Sequence, residues 1–370
     1  MDKRGWTYKK ISDVCKKASS SIVLNRIENN TGDYPLYGAS GYVKSIDFYH
    51  MDREYIGIVK DGSGVGRVNI YPAKTSLVGT MQYILPNDDV YTPYISYSLQ
   101  SLHLDKYVHG AAIPHIYFKD YGKELIPVPS KETQQQIVAE LDEINDSISL
   151  LQEQVKDLDS LIQSTFYDMF GDPVENEKGW EVKKLGGHIK ITGGYAFKSD
   201  QFTSTGIPVL RIGNINAGYF KDINMVFWED DMSLKRYEIF PGDLVMSLTG
   251  TVGKSDYGNV CMIDEHFPKY YLNQRNAKID IISGLDKFYL KSILGFDVIK
   301  SKLTGISRGV RQANISNKDI ENLILPIPPL LLQQSFADKV LAIEKAKEKL
   351  NVQIDELQTL LASRMQYWFE

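Results

Sequence analysis

Apolar side chains recur at alternating steps of four and three in two separate stretches of the chain. In the first they fall at Ile137, Leu141, Ile144, Ile148, Leu151, Val155, Leu158 and Ile162. In the second the same steps give Phe336, Val340, Ile343, Lys347, Leu350, Ile354, Leu357 and Leu361, with Lys347 the one polar member. A mean period of 3.5 residues keeps one stripe on one face of a helix, so each stretch predicts a coiled-coil seam. Pro127 and Pro129 hold the preceding chain extended, and Thr133 with Gln136 fits a capping box at the first helix start. Each helix would run for about 36 residues, roughly 54 Å at 1.5 Å per residue. Pairing the two antiparallel would let each cover the other's seam. Lys347 stands where the first stretch has Ile148; it either fixes the register of the pair or snorkels outward.

The segments between these helices lack a helical period. Residues 1–129 and 171–329 carry short β-prone runs at 55–59, 68–71, 81–85, 208–212 and 244–248. Turn signals separate them, among them Asn30-Thr31-Gly32, Asp61-Gly62, Asn87-Asp88 and Pro241-Gly242-Asp243. Each segment reads as mainly β with a few helices. One helix is expected over 286–303, with Phe288, Leu290, Ile293, Leu294, Val298 and Ile299 on or near one face. The expected fold class is α+β: globular segments 1–129 and 171–329, each followed by a long helix, at 130–170 and 330–370.

The chain also repeats itself. Ile126-Pro127-Val128-Pro129, then Gln134-Gln135 and Ile137, match Leu325-Pro326-Ile327-Pro328, then Gln333-Gln334 and Phe336, at an offset of 199. The same offset pairs Gly110 with Gly309, Lys119-Asp120 with Lys318-Asp319, Leu158 with Leu357, Ser164 with Ser363 and Phe170 with Phe369. At an offset of 174, Gly5-Trp6, Lys9-Lys10 and Ile11 match Gly179-Trp180, Lys183-Lys184 and Leu185. The interiors diverge, apart from a faint echo of Gly64-Val65-Gly66-Arg67 in Thr251-Val252-Gly253-Lys254. A shared scaffold with different interiors is what two modules need to do one job on two different targets. The arrangement is a pseudo-two-fold repeat.

Length and charge refine this picture. With 370 residues, the chain exceeds one ordinary core. Its net charge of -5 argues against a simple nucleic-acid binder. The acid is local: residues 130–170 hold 2 basic and 9 acidic side chains, and 330–370 hold 5 and 6. The remainder has 35 basic against 32 acidic, so a case for DNA cannot rest on charge. The 23 tyrosines suit contact surfaces, having both an apolar ring and a hydroxyl. Cys15 and Cys261 lack metal spacing and read as inert thiols in a reducing cytosol. No run is apolar enough to span a membrane, and the opening MDKRGWTYKK lacks the apolar core of a secretion signal.

Catalytic motifs fail on inspection. Gly250-Thr251-Val252-Gly253-Lys254-Ser255 resembles the tail of a P-loop, but Leu248 stands where glycine is required. Gly62-Ser63-Gly64-Val65-Gly66 has Arg67 where a Rossmann turn needs glycine. No Asn- or Asp-Pro-Pro-aromatic segment of adenine methyltransferases is present. Glu181-Val182-Lys183 fits only the end of a nuclease motif, and the 6 histidines form no metal cluster with a cysteine pair. No catalytic or metal-ligating set is expected.

Other stretches resemble the specificity (S, HsdS) subunit of type I restriction-modification enzymes. They are Tyr34-Pro35-Leu36-Tyr37-Gly38-Ala39-Ser40-Gly41, Gly193-Gly194-Tyr195-Ala196-Phe197-Lys198-Ser199, Gly206-Ile207-Pro208-Val209-Leu210-Arg211-Ile212-Gly213-Asn214-Ile215 and Pro241-Gly242-Asp243-Leu244-Val245. The Pro-x-Pro elements before each Gln-Gln helix complete the set, and the resemblance covers essentially the whole chain. It implies that 1–129 and 171–329 are target recognition domains, each reading half of a bipartite site in double-stranded DNA. It implies that 130–170 and 330–370 are the conserved spacer, docking two methyltransferase subunits that use S-adenosylmethionine. Motor-nuclease subunits, with ATP and Mg, would complete a cytoplasmic bacterial or archaeal complex. The chain itself would hold no cofactor. Tyr37-Gly38-Ala39-Ser40-Gly41 and Gly194-Tyr195-Ala196-Phe197 differ, which suggests two different half-site words.

Within that frame, base edges and phosphates need hydrogen-bonding and cationic groups on loops. The first segment offers Tyr42, Lys60, Ser63, Arg67, His109 and His115. The second offers Tyr195, Lys198, Arg211, Asn214, Thr249, Lys254, Arg275, Arg308, Arg311 and Gln312, with 307–314 the densest stretch. Phe166, Tyr167, Met169, Phe170, Met365, Tyr367, Trp368 and Phe369 would either dock partners or pack the helix ends onto the globular segments. Two other readings compete: a coiled-coil scaffold without sequence-specific DNA binding, and an enzyme with an unrecognised site.

Overall fold

A computed structural model describes residues 3, 5–110, 114–251, 256–304 and 312–370, with Gln312 and Ala313 as backbone. The chain forms two compact units, residues 1–153 with 350–370 and residues 154–349. Both long helices contribute to both units.

In the first unit, strands Cys15–Ser19, Met81–Pro86, Tyr55–Val59 and Val68–Tyr71 form an antiparallel sheet in that order. Every residue of Tyr55–Val59 is buried, as expected of a central strand covered on both faces. A second sheet joins Gly41–Ile46 to Tyr34–Gly38 antiparallel and Tyr34–Gly38 to Ser76–Leu77 parallel. Thr7–Lys10 and Leu125–Val128 close a two-stranded ribbon. The second unit repeats this plan. Its sheet runs Ile189–Gly193, Asn276–Ile281, Leu244–Ser247, Val260–Met262, all antiparallel. Its second sheet again has one parallel pair, Ile207–Leu210 with Tyr270–Leu272, and its ribbon is Val182–Lys184 with Ile324–Pro326. The expected strands at 55–59, 68–71, 81–85, 208–212 and 244–248 all exist, within two residues at their ends. Two mainly-β modules of one topology, each served by long helices, make the fold the expected α+β repeat.

The repeated Gln-Gln explains itself in the packing. Gln134 is fully buried; its Oε1 accepts from Tyr91 N–H at 2.8 Å, and its Nε2 donates to Pro129 O at 2.9 Å. Gln333 does the same with Asp286 N–H at 2.8 Å and Pro328 O at 2.7 Å. Each amide ties the helix start to its own module, since buried backbone groups need partners. Tyr94 and Tyr289 repeat a second tie, donating to Pro127 O at 2.9 Å and Pro326 O at 2.8 Å.

The helices are Lys131–Phe170 and Leu330–Phe369, each 40 residues and so a few residues longer than the periodicity suggests. All sixteen seam positions are buried or half-buried, Lys347 included. In the first unit Ile137 and Leu141 share a core with Leu361, Met365 and Trp368. In the second, Ile162 and Phe166 share one with Phe336 and Val340. The start of one helix thus meets the end of the other within each unit, which is antiparallel pairing. Glu140 takes a two-pronged ion pair from Arg364, its Oε2 lying 3.0 Å from a guanidinium nitrogen. Lys347 neither points away nor stands unpaired: its Nζ lies 2.6 Å from Asp159 and 3.2 Å from Glu344. Burial works to lower the Lys347 pKa, but the two carboxylates prevail and hold it above the ordinary lysine value.

Two details depart from expectation, the cap of the first long helix and the helix over 286–303. The first long helix is capped by Ser130, whose Oγ accepts from Thr133 N–H at 3.3 Å, so Thr133 and Gln136 lie inside it. The helix expected over 286–303 is two, Lys287–Gly295 and Asp297–Thr304, broken at an extended Phe296. Of its expected apolar face, Val298 is exposed. The helix-end aromatics divide: Phe166, Phe170, Trp368 and Phe369 are buried within their units, while Tyr167 and Tyr367 remain exposed. Cys15 and Cys261 are free and buried, and burial pushes each thiol up to about 12.

Candidate functional site

In the first unit, the loop leaving Tyr55–Val59 meets the chain around 109–117. Lys60 N–H donates to Thr80 O at 3.0 Å, Ile116 N–H to Lys60 O at 3.0 Å, and Gly62 N–H to Pro114 O at 2.9 Å. His109 and His115 exchange backbone bonds of 2.8 and 2.9 Å. Gly62, Gly64 and Gly66 all have φ between 82° and 89°, so the glycine run is a left-handed turn. Asp61 bonds the Nδ1 of His115 and lies 3.7 Å from Lys60 Nζ. His109 Nε2 lies 3.3 Å from Asp120. Ser63 and Arg67 are exposed at the tip. Arg67 also borders a shallow cavity of about 410 Å³, lined by Tyr37, Ser40, Asn69 and Tyr71 among others. Tyr42 is exposed with its ring 6.3 Å from Tyr37. Lys60, Ser63, Arg67, His109 and His115 therefore come together, and Tyr42 stands on the neighbouring hairpin.

The second unit builds the same loop end with different side chains. Leu248 N–H donates to Arg275 O at 2.9 Å, and Ile315 N–H donates to Leu248 O at 2.8 Å. These are the bonds made by Lys60 and Ile116 in the first unit. Gln274 N–H donates to Tyr195 O at 2.9 Å, as Gly79 N–H donates to Ile22 O at 2.8 Å. A Cβ on Gly194 would lie 2.0 Å from Asn273 O, so only glycine lets this turn close. Thr249 Oγ1 donates to Asn314 Oδ1 at 3.2 Å, and the two residues pair across Thr249–Thr251 and Gln312–Asn314. Tyr195, Thr249, Arg275 and the backbone of Gln312 thus gather at one end of the sheet. Tyr195 and Arg275 are exposed, and Thr249 is buried. Lys198 is exposed further along the Tyr195 loop.

Two candidates serve the fold instead of solvent. Asn214 is 2% exposed; its Nδ2 donates to Lys221 O at 2.9 Å and Ile223 O at 3.0 Å, and its Oδ1 accepts from Arg211 N–H at 3.0 Å. With both donors spent on backbone, it cannot offer the paired contacts of a base-reading amide. Arg211 is half-buried and its guanidinium is donated to Asn224 O. Lys254, Arg308 and Arg311 lie outside the described residues, as does the Gln312 side chain. Asn273 and Gln274 precede Arg275 in the same turn, half-exposed and exposed, and add to the candidates. The run Asn273-Gln274-Arg275-Asn276 carried that signal, being made of the side chains that read base edges. Among the described residues, no group of three or more His, Cys, Asp or Glu could hold a metal ion, and no helix is long and apolar enough to cross a membrane.

Comparison with known proteins gives a consistent answer. A model described as the type I restriction modification DNA specificity domain matches twice, over residues 3–159 and 177–358. The type I restriction enzyme MjaVIII specificity subunit of Methanocaldococcus jannaschii is 26% identical over 325 residues, covering 79% of this chain and 74% of its own length. The MjaIX specificity subunit of the same organism is 22% identical over 380 residues, covering 90% and 85%. The EcoAI specificity subunit of Escherichia coli is 31% identical over 182 residues, 46% of this chain and 28% of its own length. Among solved structures, the S subunit of a type I restriction-modification system from M. genitalium aligns over 99% of this chain and 96% of its own, with a TM-score of 0.56 at 15% identity. The doubled match, the repeated topology and the paired helices agree: the chain belongs to the family of type I restriction-modification specificity subunits.

Proposed function

We propose that each unit binds double-stranded DNA with the loop end just described, and that the two units read the two halves of one bipartite site. The observation that carries this is the repeated loop end itself. Three of its backbone bonds recur in both units, while its polar and cationic side chains differ. In the first unit Lys60, Ser63, Arg67, His109 and His115 are the contact groups, with Tyr42 beside them. In the second they are Tyr195, Lys198, Gln274 and Arg275, joined from sequence by Lys254, Arg308, Arg311 and Gln312. Cationic members suit phosphates, and amide and imidazole members suit base edges.

The paired helices dock two methyltransferase subunits. Leu150, Leu161, Leu341, Val352 and Leu360 are exposed on them, off the seam, as a partner surface would be. S-adenosylmethionine belongs to those subunits, ATP and Mg to the motor-nuclease subunits, and the chemistry to both. This chain contributes recognition and no catalytic step, in a cytoplasmic complex. Weak net charge on the globular segments fits a subunit that shares phosphate contacts with its partners.

The experiment is co-expression with the methyltransferase encoded nearest to this gene. The expected result is one purified complex that methylates DNA, with no turnover by this chain alone. A stable homodimer that captures no methyltransferase would favour the scaffold reading, and turnover by the isolated chain would favour the enzyme reading.

A further inference from the structure

Equivalent backbone bonds put the two units in residue-by-residue register around one point. Lys60 corresponds to Leu248, because each accepts from an isoleucine N–H, Ile116 or Ile315. Each also donates its own N–H to the turn before the next strand, at Thr80 or Arg275. The following residue, Asp61 or Thr249, therefore corresponds, as does the residue before the isoleucine, His115 or Asn314. These two positions touch in both units. Asp61 bonds His115 through Nδ1, and Thr249 Oγ1 donates to Asn314 Oδ1 at 3.2 Å. Around them the backbone scheme and the isoleucine are retained, yet the pair has changed completely. A contacting pair that changes on a retained backbone is what two readers of different DNA words would show.

From this the geometry points to a matched specificity pair in each unit, with Asn314 and His115 reading a base and Thr249 and Asp61 orienting them. The inference rests on the DNA-reading function proposed above. The outer member is accessible in both units, since Asn314 is exposed and His115 partly so. The inner members are less so: Thr249 is buried and Asp61 half-buried. Capacity agrees. The Thr249 hydroxyl uses one lone pair of Asn314 Oδ1, leaving the other and both Nδ2 hydrogens. One acceptor beside two donors matches the N6/N7 edge of adenine. In the first unit the Asp61 carboxylate accepts the Nδ1 hydrogen of His115, which leaves the ring's Nε2 for a hydrogen bond with a base edge.

The test uses the full chain, co-expressed with its methyltransferase in cells without competing systems, and reads methylated adenines across the genome. N314A is expected to relax one base pair in one half-site, and H115A one base pair in the other. Discrimination at that position should fall about 5- to 150-fold while the opposite half-site stays fully specified. T249V should relax the same base pair as N314A, and T249S should restore it. D61A should act at the position of H115A, and D61N, which can still accept the Nδ1 hydrogen, should restore it. An unchanged motif in N314A and H115A overturns the pair. If either variant abolishes methylation, the purified complex is titrated with duplexes altered at each base of that half-site. A flattened response at one base supports the pair, and equal weakening across all of them overturns it. If deleting the whole chain leaves methylation unchanged, the DNA-reading function itself falls, which is a separate outcome.

Discussion

Replacing Gln333 by leucine keeps most of the side-chain volume and removes every hydrogen bond the amide makes. Those bonds go to Asp286 N–H at 2.8 Å, Pro328 O at 2.7 Å and Gly284 O at 3.1 Å. The Pro328 carbonyl is in a buried contact, so its loss leaves an unsatisfied acceptor that costs about 1–3 kcal/mol. Asp286 N–H and Gly284 O are only partly buried, so water recovers part of their loss. The total comes to roughly 2–4 kcal/mol, and about 2–4 °C of Tm per kcal/mol applies to a domain of this size. Melting of the second unit should therefore fall by about 5–15 °C. Gln334→Leu, one residue on and exposed, is the control and should change stability by less than about 0.5 kcal/mol. Thermal and urea unfolding of the two variants measure both. Equal effects, or a Gln333→Leu loss below about 1 kcal/mol, would refute the idea that this amide holds the helix start to its module.

Three further predictions follow from the helices and the thiols. Inserting seven residues into each long helix, at matched positions, adds about 10 Å, or roughly three base pairs at 3.4 Å each. Sequencing of methylated sites should show the gap between half-sites widened by that amount, and an unchanged gap would remove the helix pair as the ruler. Lys347→Ile, which copies Ile148 at the matching position, replaces an ion pair by apolar packing. It should be neutral or stabilise by about 1 kcal/mol in thermal unfolding, whereas a loss above about 2 kcal/mol would make the Asp159 contact essential. Both cysteines have pKa values of about 12 when folded, above their ordinary value. The raised folded value means their contribution to stability is complete below the unfolded pKa and fades as pH climbs from there towards 12. Native protein should resist thiol-specific reagents at pH 8 and react at both sites in denaturant, counted by absorbance; rapid labelling of native protein would contradict their burial.

Legibility in the sequence followed physical cause. Seam positions such as Ile137 and Leu357 were readable because a helix with one buried face must repeat at that period. Strands such as Tyr55–Val59 were readable because full burial leaves a short continuous apolar run. The helix break at Phe296 was hidden because both halves bury apolar faces; Gly295 before it was the only local signal. Ser130 is hard to tell as the cap because Thr133, three residues later, offers the same chemistry. At the loop ends the limit is deeper. An asparagine that serves backbone, as Asn214 does, and one that faces outward, as Asn314 does, are the same letter. The match between the two loop ends was legible only in part: the offset of 199 already pairs Ile116 with Ile315, but bonds such as Gly79 to Ile22 and Gln274 to Tyr195 are made by backbone groups and leave no side-chain signature.

Genome-wide mapping of N6-methyladenine, in cells with and without this gene, tests the central claim most directly. The account predicts one bipartite motif, two short words separated by a fixed gap, that is present with the gene and vanishes on its deletion. Methylation that persists unaltered without the gene, or a motif with a single uninterrupted word, would contradict it.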